Sequence, residues 1–125
     1  MGFMEKLKAS AKNADSMAGE AVDKSRVRSK ISNEETEIKK DYDKIGQLYY
    51  TAYKDGGDAS SDIDEICRDI DERFARIDEY NQEITAIEAA GKAEREQNNA
   101  DAEAASQRKE AEKAQRKAAS EKEEE

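Results

Sequence analysis

The chain has 125 residues, of which 42% are charged and only 35% hydrophobic, and its formal net charge is −9. That length allows at most one small domain with tails. A single cysteine, Cys67, and no histidine exclude a disulfide framework and a zinc quartet within one chain.

Alanine, glutamate, lysine and arginine at heptad spacing read as long helices or coiled coil. Proline is absent, and no alternating pattern supports a sheet. The charge is uneven: residues 1–30 carry about three more positive than negative groups, and residues 61–90 about seven more negative ones. An acidic middle argues against nucleic acid as a partner, because a phosphate backbone needs clustered lysine and arginine. It suits a self-repelling surface or a basic protein partner.

Residues 1–26 predict an amphipathic helix. Phe3, Leu7, Ala11, Ala14, Ala18 and Val22 step by three or four, and Lys6, Lys8 and Lys12 flank the bulky start. One reading lays this helix on an anionic membrane surface, with Phe3, Met4 and Leu7 as the membrane contact. The other packs it on the hairpin described next, and the small number of large apolar residues favours that one. No continuous apolar run marks a secretory signal or a membrane span, so the cytoplasm is the expected location, with membrane association through this segment as the variant. Lys6 stands where N-myristoylation wants Ser or Thr, so Met1-Gly2 is not read as a lipidation site.

The organising stretch runs from Ile31 to Ile87. Ile31, Ile38, Ile45 and Ala52 lie seven apart, and so do Ile63, Ile70, Ile77 and Ile84. Seven residues are about two helical turns, so each set forms one stripe. Folded back at Asp55-Gly56-Gly57-Asp58, facing positions in these stripes have residue numbers adding to 115. A second layer, Leu48 with Ile66 and Val27 with Ile87, adds to 114. A constant sum along both arms predicts an antiparallel coiled-coil hairpin of two helices, 27–54 and 61–90. Asp41 and Arg73 also add to 114 and form a register pair, since a slip would set charge against isoleucine. Beside the seam, Tyr42 with Phe74 and Tyr49 with Cys67 widen the apolar face beyond what one partner helix covers.

Local signals agree with this plan. Ser32-Asn33-Glu34-Glu35 resembles a capping box, but Val27 obeys the hairpin register, so the helix is expected to continue through it. Lys54 suits a helix C-terminus, and Gly56 a left-handed cap. Ser61 is the expected N-cap of the second helix, with Asp62, Asp64 and Glu65 behind it. Gly46 interrupts a helix interior at roughly 1 kcal/mol against alanine. After Gly91 the isoleucines stop. Residues 91–125 predict a charged tail, a lone or fluctuating helix off the isoleucine frame, with Asn98-Asn99 as its expected break and Glu123-Glu124-Glu125 fraying.

No catalytic constellation emerges. Carboxylates abound without a burial signal, and Glu-x-x-His metal motifs are ruled out by the missing histidine. Cys67, with acids beside it and no histidine, reads as a small buried hydrophobe rather than a nucleophile. The distinctive patch is Tyr42, Tyr49, Tyr50 and Tyr53, with Tyr50 and Tyr53 expected to face away from the other two. It reads equally as a protein interface or as a core covered by residues 1–26. Asp55-Gly56-Gly57-Asp58 is too acidic for a phosphate loop.

The stretches Met1-Gly2-Phe3-Met4-Glu5-Lys6-Leu7, Ile31-Ser32-Asn33-Glu34-Glu35, Ile45-Gly46-Gln47-Leu48-Tyr49-Tyr50, Tyr53-Lys54-Asp55-Gly56 and Ile66-Cys67 resemble the N-terminal helical hairpin of small uncharacterised bacterial zinc-ribbon proteins. The likeness covers roughly residues 1–90. It implies a bacterial intracellular protein and supplies no active-site residues. No Cys-x-x-Cys follows Gly91, so metal binding is not carried over. The expected fold is therefore all-α: an N-terminal segment (1–26), the hairpin (27–90) and the tail (91–125). The expected function is a non-enzymatic interaction or scaffold module, self-associating or binding a protein partner, without a cofactor. The alternatives are the membrane-surface protein and an acidic decoy for a basic protein groove.

Overall fold

The computed structural model describes residues 2–124. They form two helices, α1 (Phe3–Asp55) and α2 (Ser60–Glu124), and no strand occurs among the described residues. The protein is an all-α helical hairpin. No proline interrupts either run, so each helix continues through every break the sequence offered. α1 passes the 26/27 boundary and the Ser32 motif, where Thr36 Oγ1 donates to the Ser32 carbonyl at 3.0 Å within the helix. α2 passes Gly91 and Asn98-Asn99. Of the expected fraying stretch, Glu125 lies outside the described residues.

Gly56 turns the chain. Its φ of 71° is left-handed, and the Gly57 N–H reaches back to the Ala52 carbonyl at 3.0 Å, satisfying an end-of-helix carbonyl in the Schellman manner. α2 starts one residue before the expected Ser61 cap. The Asp58 carboxylate accepts from the Ser60 N–H at 2.9 Å and from the Ser60 hydroxyl, and the first helical bond is Ile63 N–H to Ala59 carbonyl. A charged acceptor two residues upstream takes the capping role from serine. The hydroxyl, then the backbone N–H, of Ser60 hold the Asp58 carboxyl below its ordinary pKa.

The chain divides into two compact units. In the unit Val22–Ile87, the seam positions of α1, none of them exposed, are spaced alternately by four and three: 27, 31, 34, 38, 41, 45, 48 and 52, with Lys24 and Glu37 half-buried beside them. Those of α2 answer at 63, 66, 70, 73, 77, 80, 84 and 87. Val27, Ile38 and Ile70 are buried; Ile31, Ile45, Leu48, Ala52, Ile63, Ile66, Ile77, Ile84 and Ile87 are half-buried. Only three apolar residues are buried here and none completely, as a two-helix seam dictates.

The other unit joins Met1–Ala21 to Glu88–Glu125. Its non-exposed positions include 5, 9, 13, 16 and 20 on α1 and 91, 95, 98, 102 and 106 on α2, a four-four-three rhythm with an eleven-residue period. Small and polar side chains make the contact. Gly2 N–H donates to Ser106 Oγ at 2.8 Å, and Asn13 exchanges amide bonds with Asn99 at 3.0 Å and Asn98 at 3.1 Å. Arg95 reaches Ser16 and Glu20, each at 3.4 Å, and Lys109 pairs with Glu5. The Glu20 carboxylate lies over Gly91, which is buried, and a Cβ there would overlap it.

Two expectations change accordingly. The stretch from Gly91 to Lys109 is a packed arm of the fold, not a lone helix, and Asn98-Asn99 clasp Asn13 where a break was expected. The first segment packs on that arm, not over the tyrosines. No helix among the described residues is long and apolar enough to cross a membrane.

Candidate protein-interaction face

Within the unit Val22–Ile87, a residue four positions beyond the row 38, 45 or 63, 70 stands at the flank of the seam, where the opposite helix covers it only in part. Tyr42, Tyr49, Cys67 and Phe74 occupy those flank positions and are all exposed. Tyr49 is 69% exposed and Phe74 46%. Cys67 is thus not the buried hydrophobe expected of it. Its facing residue, Tyr49, is itself on the open flank, so nothing closes over the thiol.

Tyr53, 74% exposed, does not face away from Tyr49 as expected. The two line one shallow hollow of about 250 Å³ beside the turn, with Ala52, Gly57, Asp58 and Ile63. Seven residues separate Tyr53 from Gly46, and a helix returns to the same face over that distance. Tyr50 lies further round, with Lys54 Nζ 5.7 Å from its ring centroid. The hollow falls below the usual size of a ligand pocket, and its carboxylate is committed to Ser60.

A polar layer crosses the seam in the same unit. Arg73 Nε lies 3.8 Å from Asp41 Oδ2, the expected register pair, but its shorter bonds go elsewhere. Nε donates to Asp69 Oδ2 at 2.8 Å and Nη1 to Glu34 Oε2 at 3.1 Å. Arg76 grips Glu34 with two bonds, at 3.1 and 3.2 Å. Arg76 first, against a desolvation cost, and then Arg73 hold the Glu34 carboxyl below its ordinary pKa. Asp41 is pushed up, first by its hydrogen-bonding contact with Asp69 and then by burial. Asp69 is held down by that same contact and by Arg73. Two carboxylates, Asp41 and Asp69, thus lie on either side of the Arg73 guanidinium, and the Asp41 Oδ2 is buried without a hydrogen-bond partner.

Sequence reasoning missed Glu34, Asp69 and Arg76 as parts of this layer. One signal was present, because Glu34 and Tyr80 obey the same register that placed Asp41 opposite Arg73. Tyr80 is half-buried there, with Lys30 Nζ 5.8 Å from its ring centroid. A second missed pattern is the triplet Ile-Asp-Glu recurring at 63, 70 and 77. It sets Asp64-Glu65, Asp71-Glu72 and Asp78-Glu79 as exposed doublets along α2. Glu34, Glu37, Asp41 and Asp69 take part in ion pairs of this unit.

Among the described residues, no group of three or more Cys, Asp or Glu side chains is arranged to hold a metal ion. No protein-family model, curated protein or solved structure matches the chain.

Proposed function

We propose that the hairpin is an antiparallel coiled coil and that the chain is a non-enzymatic interaction module, self-associating through the aromatic flank of the unit Val22–Ile87. One observation carries this reading: Tyr42, Tyr49, Tyr53 and Phe74 stand exposed along one flank, while the isoleucines of the seam turn inward. Large apolar surface left open after the intramolecular seam is satisfied is the mark of an interface. Two such flanks placed together make a four-helix bundle, which supplies the cover that a two-helix core lacks. The resemblance to the hairpin part of bacterial zinc-ribbon proteins adds no residues to this reading.

Cys67 reports on it directly. Its thiol lies on the flank, so labelling by a thiol reagent should slow as protein concentration rises. In a Tyr49→Ser/Phe74→Ser variant the rate should become independent of concentration. A wild-type rate already independent of concentration would count against self-association.

The exposed Asp-Glu doublets favour a second reading, docking to a basic groove on another protein. Such docking should weaken steeply as salt is added.

A further inference from the structure

The outward face of α1 in the other unit is used by nothing described so far. We infer that this face, led by Phe3, Met4 and Leu7, docks on an anionic lipid surface. Residues that meet α2 there are Gly2, through its backbone N–H, and Glu5, Ala9, Asn13, Ser16 and Glu20, all small or polar. The large apolar side chains point the other way: Phe3 is 78% exposed, Leu7 54% and Met17 58%, and Met4 is exposed beside them. At about 100° per residue, Phe3, Met4 and Leu7 fall within one sector of α1 opposite the side that packs on α2, with Met17 at the edge of that sector. Ala11, Ala14 and Ala18 fill the same sector and are exposed. A helix that packs by its polar side and presents its apolar side outward is inverted relative to a surface helix of a globular protein.

Charge identifies the occupant. Lys6 and Lys8 border the sector on its two sides over the first turns, and both are exposed. Asp15, further along, borders the side of Lys8 and confines the attraction to the start of the helix. Apolar side chains between flanking lysines match an interface of acyl chains beneath anionic headgroups. α2 lies on the far side of α1 in this unit, so its carboxylates do not stand between the face and a lipid plane. The same face of a second copy would set lysine against lysine.

The test is flotation of the full chain with two kinds of vesicle, phosphatidylcholine alone and phosphatidylcholine mixed with phosphatidylserine. The wild type should float with the mixed vesicles and not with the neutral ones. Each lysine near such a surface strengthens binding roughly fivefold. Lys6→Glu/Lys8→Glu should therefore lose more than tenfold, and Phe3→Ser/Leu7→Ser should lose flotation. All four positions are exposed, and helicity by circular dichroism checks that each variant folds. Failure to float with the mixed vesicles overturns the inference, as does equal flotation with neutral vesicles or by either variant. Tyr49→Ser/Phe74→Ser should float like the wild type, which separates this result from the fate of the aromatic flank. If Phe3→Ser/Leu7→Ser instead lowers the mass in solution without lipid, the occupant is a second copy and the lipid assignment fails.

Discussion

Asp41 is buried in a seam that is otherwise largely aliphatic, and it faces another carboxylate before it faces a cation. Its pKa is raised in the fold, so the stabilising, protonated form is complete below the unfolded value of 3.8 and is lost as pH rises through the folded value. Near neutral pH the wild type carries that loss. Asp41→Asn keeps the shape, supplies an amide donor to Asp69 and does not titrate. It should melt higher than the wild type at neutral pH, with the gap closing as pH approaches 3.8. Gly46 shows the opposite balance. A Cβ built there meets nothing within 4 Å, so Gly46→Ala should stabilise the chain to denaturant by about 1 kcal/mol. Its neighbours one turn away include Tyr42, Tyr49 and Tyr50. If the same change weakens self-association, the glycine serves close approach by another helix.

Between the helices, Glu34 is the strongest tie, gripped by two arginines from α2. Its lowered pKa means its stabilisation is present above 4.5 and is lost as pH falls through the folded value. Glu34→Gln should therefore melt below the wild type at neutral pH and converge with it in acid. The two units should also differ in hydrogen exchange. Val27, Ile38 and Ile70 lie in one, whereas the buried side chains among the described residues of the other are Ala9, Glu5 and Ser106. Amides around Ile38 and Ile70 should be protected most, those around Ala9 and Ala102 less, and those beyond residue 110 least, since the described side chains there are exposed. This gradient parallels how much of the fold was legible in the sequence. Isoleucine recurring every seven residues announces a helical hairpin, because bulk and spacing both survive in the letters. The pairing of Asn13 with Asn98 and Asn99 does not announce itself. Its residues are polar or small, and its eleven-residue rhythm drops out of a seven-residue frame. Cys67 was misplaced for a different reason: the same register that sets it opposite Tyr49 also sets both on a flank that one helix cannot cover.

The whole molecule is an acidic chain with a thin core and an open aromatic flank. The function was less legible than the fold, since an interface is defined by a partner whose residues are not in this sequence. What the letters do carry is the mismatch between apolar surface and the helices present to bury it. With a net charge of −9, two copies repel each other, and the aromatic contact must overcome that repulsion. Added salt screens it, so association through the flank should strengthen with ionic strength, opposite to docking on a basic partner. The mass in solution, followed by light scattering across a concentration series at low and moderate salt, tests the central claim most directly. The account predicts a rise towards twice the 14.0 kDa of one chain, shifted to lower concentration by salt and abolished by Tyr49→Ser/Phe74→Ser. A mass that stays at one chain throughout, or a dimer indifferent to those two substitutions, would contradict it.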